Sequence, residues 1–134
     1  MRNYLQKHLR IPNSQIKMLL DSQATRAAII RAIQALSLDI NIKKGDPILI
    51  YFAGHGSWAY APLEKGWKVG GTGKIEFLIP YDHSSLQPVE DGDRKYGIPD
   101  RTLGALLWQL AIEKGDNIVR QTFIFCGFIY QLTA

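Results

Sequence analysis

The stretch ILIYFAGHGS, residues 48–57, decides which fold the rest of the chain can adopt. Six consecutive apolar residues, Ile48 to Ala53, lead into a histidine that lies between two glycines. An apolar run of this length predicts a strand buried on both faces, as in a parallel sheet. Open parallel sheets bind ligands just beyond the carboxyl ends of their strands. His55 is therefore a candidate for proton transfer near neutral pH, the alternative being an ordinary histidine in a glycine turn.

Apolar residues at helical spacing lie on both sides of this strand in the sequence. They predict a helix from Thr25, its N-cap, to about Asn41, and another from Asp100 to a terminating Gly115. Further strands are predicted at 15–20, 75–80 and 122–130, and a short helix at 4–9. Because strands and helices alternate, we expect an α/β domain with a mainly parallel sheet and helices on both faces.

Composition and length are those of one ordinary soluble domain over residues 1–134. No segment approaches the roughly 20 apolar residues that a membrane span requires, so we expect no membrane partner. The amino-terminus shows no apolar stretch after its first charge, and we expect no signal peptide. Cys126 is the single cysteine, which excludes an internal disulfide. These features predict a cytoplasmic location.

The net charge of +4 is unevenly distributed. Residues 1–45 contain eight Lys/Arg and two Asp, whereas the remainder contains eight basic and ten acidic residues. The cations are spaced singly among apolar positions, as on the solvated faces of helices, rather than clustered with stacking aromatics. We therefore expect no nucleic-acid partner.

The glycine-rich sequence GGTGK at 70–74 is similar to part of a phosphate-binding loop. That motif requires glycine five residues before Gly73 and Ser or Thr after the lysine. Lys68 and Ile75 occupy those positions. A glycine-rich loop or hairpin is the better interpretation, and a nucleotide-binding domain is disfavoured.

A histidine and a cysteine follow two predicted core strands. His55 ends one strand, and Cys126 lies near the end of the last one. If these strands are parallel, their carboxyl ends meet at the same edge of the sheet. A thiol peptidase needs a nucleophilic sulfur, a base and donors for the oxyanion, and this order of histidine and cysteine is found in caspase-like proteases.

Residues 48–57 resemble the histidine motif of fungal metacaspase-like proteins, which belong to the caspase-domain family. The resemblance covers about residues 3–118 and implies a partial caspase-like domain, incomplete at both termini. Four further stretches are similar to family sequence: ATR at 24–26, IPYD at 79–82, GIPDRTL at 97–103 and GDNI at 115–118.

The resemblance implies a cysteine-type endopeptidase that cuts peptide substrates after Arg or Lys, with calcium as a cofactor in relatives. His55 would be the general base of a Cys–His dyad, and the backbone amide of Gly56 an oxyanion donor. Asp82 and Asp100 fall near acidic positions linked to calcium, although Arg101 stands where a further acid is expected. The alternative for Asp82 is a turn residue, and for Asp100 a helix cap.

The family pattern breaks after Ile118. An apolar strand and Asp-x-Cys-His-Ser-Gly should follow, but residues 119–130 read VRQTFIFCGFIY. Counted from Asn117, the nucleophile falls at Phe125, so Cys126 is one residue out of register and would face the other way on a strand. We therefore expect impaired activity. Cys126 as a small buried apolar residue, and the chain as an inactive pseudoprotease with a binding or regulatory role, remain alternatives.

The two ends of the predicted domain favour association between copies of the chain. A chain without the outer strand of the family would leave a core strand at an open edge. The uncharged, strand-prone run 122–130 adds a second aggregation-prone feature. Self-association is therefore predicted, and a truncated or mis-spliced origin of the chain is a further hypothesis.

Overall fold

The structure, a computed structural model, describes residues 1–60, 73–83 and 97–124, with the backbone alone for 121–124. The regular elements are the helices α1 (Arg2–Lys7), α2 (Arg26–Leu38) and α3 (Asp100–Lys114), and the strands β1 (Ile48–Tyr60), β2 (Lys74–Ile79), β3 (Ile98–Pro99) and β4 (Ile118–Ile124). Short 3₁₀ turns lie at Asn13–Gln15 and Asp21–Gln23. The prediction of an α/β chain is confirmed.

The four strands form one mixed sheet in the order β3-β2-β1-β4. β1 runs parallel to β4 over Ile48–Gly54 and antiparallel to β2 over His55–Tyr60. The prediction of a mainly parallel sheet is wrong, because β1 does not end at the glycines. Trp58 and Tyr60 favour strands, and they continue β1 into an antiparallel ribbon with β2.

The core lies on one face of this sheet. Leu78 and Ile98 pair across β2 and β3 and pack with Ile33 of α2 and Leu103 of α3. Burial alternates along β1, and the opposite face leaves Leu49, Tyr51 and Val119 exposed, Val119 by 56%. β1 is therefore not buried on both faces, and within the described residues α2 and α3 cover only one face of the sheet.

The start of α2 and the end of α3 follow the predicted capping chemistry, whereas α2 ends at Leu38 and not near Asn41. The Thr25 hydroxyl accepts the amide of Ala28 at 3.2 Å, as expected of an N-cap. Gly115 has φ 89°, which glycine adopts without strain, and its amide closes α3 on Ala111 at 2.8 Å. None of the described helices combines the length and apolar character needed to cross a membrane.

The carboxyl ends of α2 and α3 are tied together. The Lys114 ammonium donates to the carbonyl oxygens of Asp39 and Ile42, at 2.8 and 3.0 Å. Asn117 donates to the carbonyl of Gly45 at 3.1 Å, immediately before β4 begins. These bonds join the loop that enters β1 to the loop that enters β4, so the two parallel strands start side by side.

Two strand predictions are corrected. The predicted strand 15–20 is not part of the sheet: a 3₁₀ turn at Asn13–Gln15 is followed by a chain that pairs with no described strand. The last strand begins at Ile118 rather than at residue 122. Ile118, the last residue of the GDNI stretch that is similar to family sequence, already pairs with β1. Residues 125–130 of that prediction lie outside the described residues.

Candidate functional site

His55 lies where the pairing partner of β1 changes from β4 to β2. The preceding residue, Gly54, is the last to pair with β4, opposite Ile124. His55 itself is the first to pair with β2, opposite Ile79. The imidazole therefore stands at the edge where the parallel strands finish, on the exposed face of β1. The prediction that His55 ends its strand is wrong, because β1 continues to Tyr60 after its pairing with β4 stops.

A cleft of about 310 Å³ opens at this edge. Its walls come from the middle of β1, from the turn before α2, and from the end of β2 with the segment after it. Asp21 is the acidic residue of this lining, and the exposed residue Tyr81 lines the cleft from the segment after β2. The lining residues are Asp21, Ala24, Phe52, Ala53, Gly54, His55, Ile79, Pro80 and Tyr81.

Gly54 lines this cleft and leaves room for a neighbouring ring. A Cβ atom at Gly54 would lie 2.6 Å from the ring of Phe52. The Phe52 side chain packs against the core on the helix side. Its ring lies over Gly54, two residues further along β1, where there is no side chain. The glycine before His55 thus serves packing as well as access to the cleft.

Two hydrogen bonds hold the walls of the cleft together. The amide of Tyr81 donates to the carbonyl of Ala24 at 2.9 Å. The carboxylate of Asp82 accepts the amide of Arg26, the first residue of α2, at 2.7 Å. Such an anion satisfies an amide that has no partner inside the helix and complements the positive end of the helix dipole. The segment after β2 is therefore anchored to the start of α2.

Replacement of Asp82 by alanine is expected to lower the free energy of unfolding by about 0.5–2 kcal/mol, as for the loss of a helix-capping side chain. Urea denaturation followed by circular dichroism measures this change. Asp116→Ala is the matched control, since that exposed side chain makes no described hydrogen bond, and it should change stability by less than about 0.5 kcal/mol. Equal losses in both variants would contradict the capping role of Asp82.

Gly56 faces a different part of the molecule from His55. It pairs with Leu78 and lines a second cleft of about 400 Å³ on the helix side, together with Trp58, Asp100 and Arg120. Consecutive residues of a strand point to opposite faces, whereas their backbone amides lie in the plane of the sheet. The amide of Gly56 is thus near the His55 edge without sharing its face. Its role as an oxyanion donor stays a prediction.

The two aspartates linked to calcium by resemblance are not brought together. The carboxylate of Asp82 is engaged by the Arg26 amide, and that of Asp100 accepts the Arg101 amide at 2.6 Å. Asp82 lies in a turn, as its alternative interpretation predicted. Asp100 is the first residue of α3 and Pro99 its N-cap, so the predicted cap is one residue off. Across residues 1–60, 73–83 and 97–124, no group of three metal-binding side chains occurs.

Sequence reasoning missed Asp21 and Tyr81 as parts of the site. Asp21 has a φ of 45°, which fits a residue type that tolerates the left-handed region. No signal in the sequence points to Asp21, because the segment before it is not a strand of the sheet. Cys126, the other predicted catalytic residue, lies outside the described residues.

The fold and the site define an α/β chain whose mixed four-stranded sheet presents a histidine in a cleft at the end of its parallel pair. No protein family matches this chain, and comparisons with curated proteins and with solved structures found no match either.

Proposed function

We propose that this chain is a caspase-like cysteine endopeptidase domain of metacaspase type, in which His55 is the base for the thiol of Cys126. The parallel register of β1 and β4 carries this proposal, because it sets Ile124 beside Gly54. Cys126 comes two positions after Ile124. Consecutive Cα atoms are about 3.8 Å apart, so the Cα of Cys126 is within about 7.6 Å of the Cα of Ile124. The proposal requires the Cys126 thiol to lie near the His55 edge.

The proposed chemistry is acyl transfer through a thioester. His55 removes the proton from the Cys126 sulfur, and the thiolate attacks the carbonyl carbon of the scissile peptide bond. The negative charge that forms on the carbonyl oxygen is stabilised by backbone amides, among them that of Gly56. The imidazolium then donates its proton to the leaving amine, and water hydrolyses the thioester with His55 again acting as base.

The lining of the His55 cleft supports a preference for a basic side chain before the scissile bond. Asp21 supplies a negative charge, and the exposed ring of Tyr81 supplies an aromatic face in the same cleft. A guanidinium group combines well with both, through ion pairing with a carboxylate and cation–π contact with a ring. In the family pattern, an aspartate before the cysteine helps to bind the basic side chain, and this chain lacks it. Asp21 is its proposed substitute.

Asp21→Asn should reduce the reactivity of the site toward an arginine-directed electrophilic peptide by about two- to fivefold, the range of an exposed ion pair. Asparagine adopts the left-handed backbone of this position as readily as aspartate, so the turn is preserved. The rate of adduct formation, measured by intact-mass spectrometry, gives the ratio. A norleucine peptide with the same electrophile is the control, and an equal decrease for both peptides would contradict a charge-specific role.

A second candidate function is that of a pseudoprotease that keeps the cleft as a binding or regulatory module. The absence of the Asp-x-Cys-His-Ser-Gly pattern favours this second function. Cys126 is out of register with that pattern, and no histidine follows Cys126 in the sequence. Labelling of Cys126 by the arginine-directed peptide separates the two functions. An adduct on Cys126 supports the peptidase. A folded chain that forms no adduct supports the binding module.

A further inference from the structure

Residues 1–20 carry charge of one sign and bury none of their side chains. They contain four Lys/Arg and no Asp or Glu, the cations being Arg2, Lys7, Arg10 and Lys17. Large apolar side chains are exposed among these cations, namely Met1, Tyr4, Leu9, Met18 and Leu20. An exposed apolar surface with a polar rim is typical of a site for a protein or a membrane. This segment is therefore a candidate interaction surface.

The helix α1 arranges its side chains as helices in a membrane interface do. At about 3.6 residues per turn, Tyr4, Leu5 and His8 lie on one side of the helix. Arg2 and Lys7 lie at the two borders of that side. The rings of Tyr4 and His8 stack there, with 5.1 Å between their centroids. A basic residue at each border lets its aliphatic stem follow the apolar side while its charged group reaches a phosphate.

Contacts within the segment hold α1 in place but leave its side chains unburied. The side chain of Asn13 accepts hydrogen bonds from Arg2 and from Gln6, the latter at 3.3 Å. A guanidinium has five N–H donors, so Arg2 keeps donors for a further anion. The amide of Ile11 donates to the carbonyl of Leu5 at 3.0 Å, so the chain turns back along the helix. No residue of α1 is buried, and packing against the protein core therefore does not explain its apolar side chains.

We propose that residues 1–20 bind an anionic lipid surface, with the apolar side of α1 at the boundary between headgroups and acyl chains. The charges are complementary, because anionic headgroups attract nearby Lys and Arg and each such cation raises the affinity about fivefold. The exposed apolar side chains follow no single helical period between Met1 and Leu20. A protein groove binds anchors at regular helical spacing, whereas a fluid lipid boundary accepts apolar side chains in any order.

The segment suits a lipid surface better than a nucleic acid. Phosphates would bind the cations but would offer no apolar contact to Met18 or Leu20. Binding of single strands also needs open aromatic rings on which bases stack. Tyr4 is the single Phe, Trp or Tyr of the segment, and its ring already stacks on His8.

The expectation of no membrane partner concerned insertion across a bilayer, which requires a run of roughly 20 apolar residues. A helix that lies in the interface needs no such run, because only one of its sides enters the acyl boundary. The proposed interaction is binding at the surface of the bilayer.

Cosedimentation of the full-length chain with vesicles tests this proposal. We expect binding to vesicles of equal parts phosphatidylserine and phosphatidylcholine, and much weaker binding to vesicles of phosphatidylcholine alone. Lys7→Glu/Lys17→Glu should lower the partition coefficient on the anionic vesicles by about 25-fold or more, because two attracted cations are lost. Arg31→Glu/Lys44→Glu is the matched control, since both residues are exposed outside the segment and the net charge changes equally. This control should change the coefficient by less than about threefold, because distant charges are screened.

Leu9→Ser tests the apolar contribution without a change of charge. Leu9 is 54% exposed, so serine leaves the core intact, and the partition coefficient should fall about fivefold. Leu38→Ser, at an exposed position outside the segment, should leave the coefficient unchanged. Absence of binding, equal binding to both kinds of vesicle, equal losses in the two double variants, or no loss in Leu9→Ser would overturn the proposal. Capture of the chain by polyglutamate without binding to vesicles would also overturn it and would identify an acidic protein segment as the partner.

Discussion

Replacement of His55 by alanine is expected to slow the alkylation of Cys126 by an arginine-directed peptide electrophile by about 10²- to 10⁴-fold, the contribution typical of a positioned general base. His55 is on the exposed face of β1, so its removal leaves no cavity in the core. We therefore expect a change in the free energy of unfolding of less than about 0.5 kcal/mol. Intact-mass spectrometry measures the rate of adduct formation, and Cys126→Ser identifies the labelled atom.

His8→Ala is the matched control for this experiment. His8 is also exposed, but it stacks on Tyr4 at 5.1 Å between ring centroids, at the end of α1 and outside the lining of the cleft. Its removal should leave the rate unchanged. Iodoacetamide, which carries no peptide, reports the intrinsic reactivity of the thiol. If His55→Ala and His8→Ala react equally fast with the peptide electrophile, Cys126 is an ordinary thiol and the Cys–His dyad is refuted.

Leu110→Ala should lower the free energy of unfolding by about 2–5 kcal/mol, the range for a large-to-small replacement in a closely packed core. The Leu110 side chain is 0% exposed in α3. Alanine has a higher helix propensity than leucine, so the loss comes from tertiary packing and not from a weaker helix. Urea denaturation measures the midpoint, and an unchanged slope shows that the variant unfolds from the same compact state.

Ile112→Ala is the control on the same helix. Ile112 lies two residues further along α3 and is 51% exposed, so it faces away from the sheet. Its replacement should change stability by less than about 0.5 kcal/mol. Comparable losses at both positions would show that the outer face of α3 is covered in solution, and would contradict the observed arrangement of the helix on the sheet.

The helices of this protein were predictable because their signals are local. Thr25 caps α2 through a bond to an amide three residues away, and Gly115 ends α3 through a backbone angle of its own. Leu103 and Leu110 are buried where the helical period predicts an inward stripe. All these interactions join residues that are close in sequence, so periodicity and capping rules are sufficient to find them.

The strands were predicted less well because their partners are remote in sequence. The apolar run Ile48–Ala53 correctly indicated a strand, but its length depends on β2, which pairs with residues beyond the glycines. Conversely, the run at 15–20 is apolar enough for a strand but is not paired in the structure. Hydrogen bonding across a sheet decides both outcomes, and no local pattern records it.

By itself, the sequence determined an α/β chain, two amphipathic helices with the Thr25 cap and the Gly115 stop, and a histidine on a core strand as the main candidate for chemistry. Only the tertiary structure decided that the sheet is mixed, that α2 and α3 cover one face of it, and that Asp21 and Tyr81 share the cleft of His55. The physical reason is separation along the chain. Arg26 and Asp82 are 56 residues apart, yet a single hydrogen bond between them helps to join the two walls of the site.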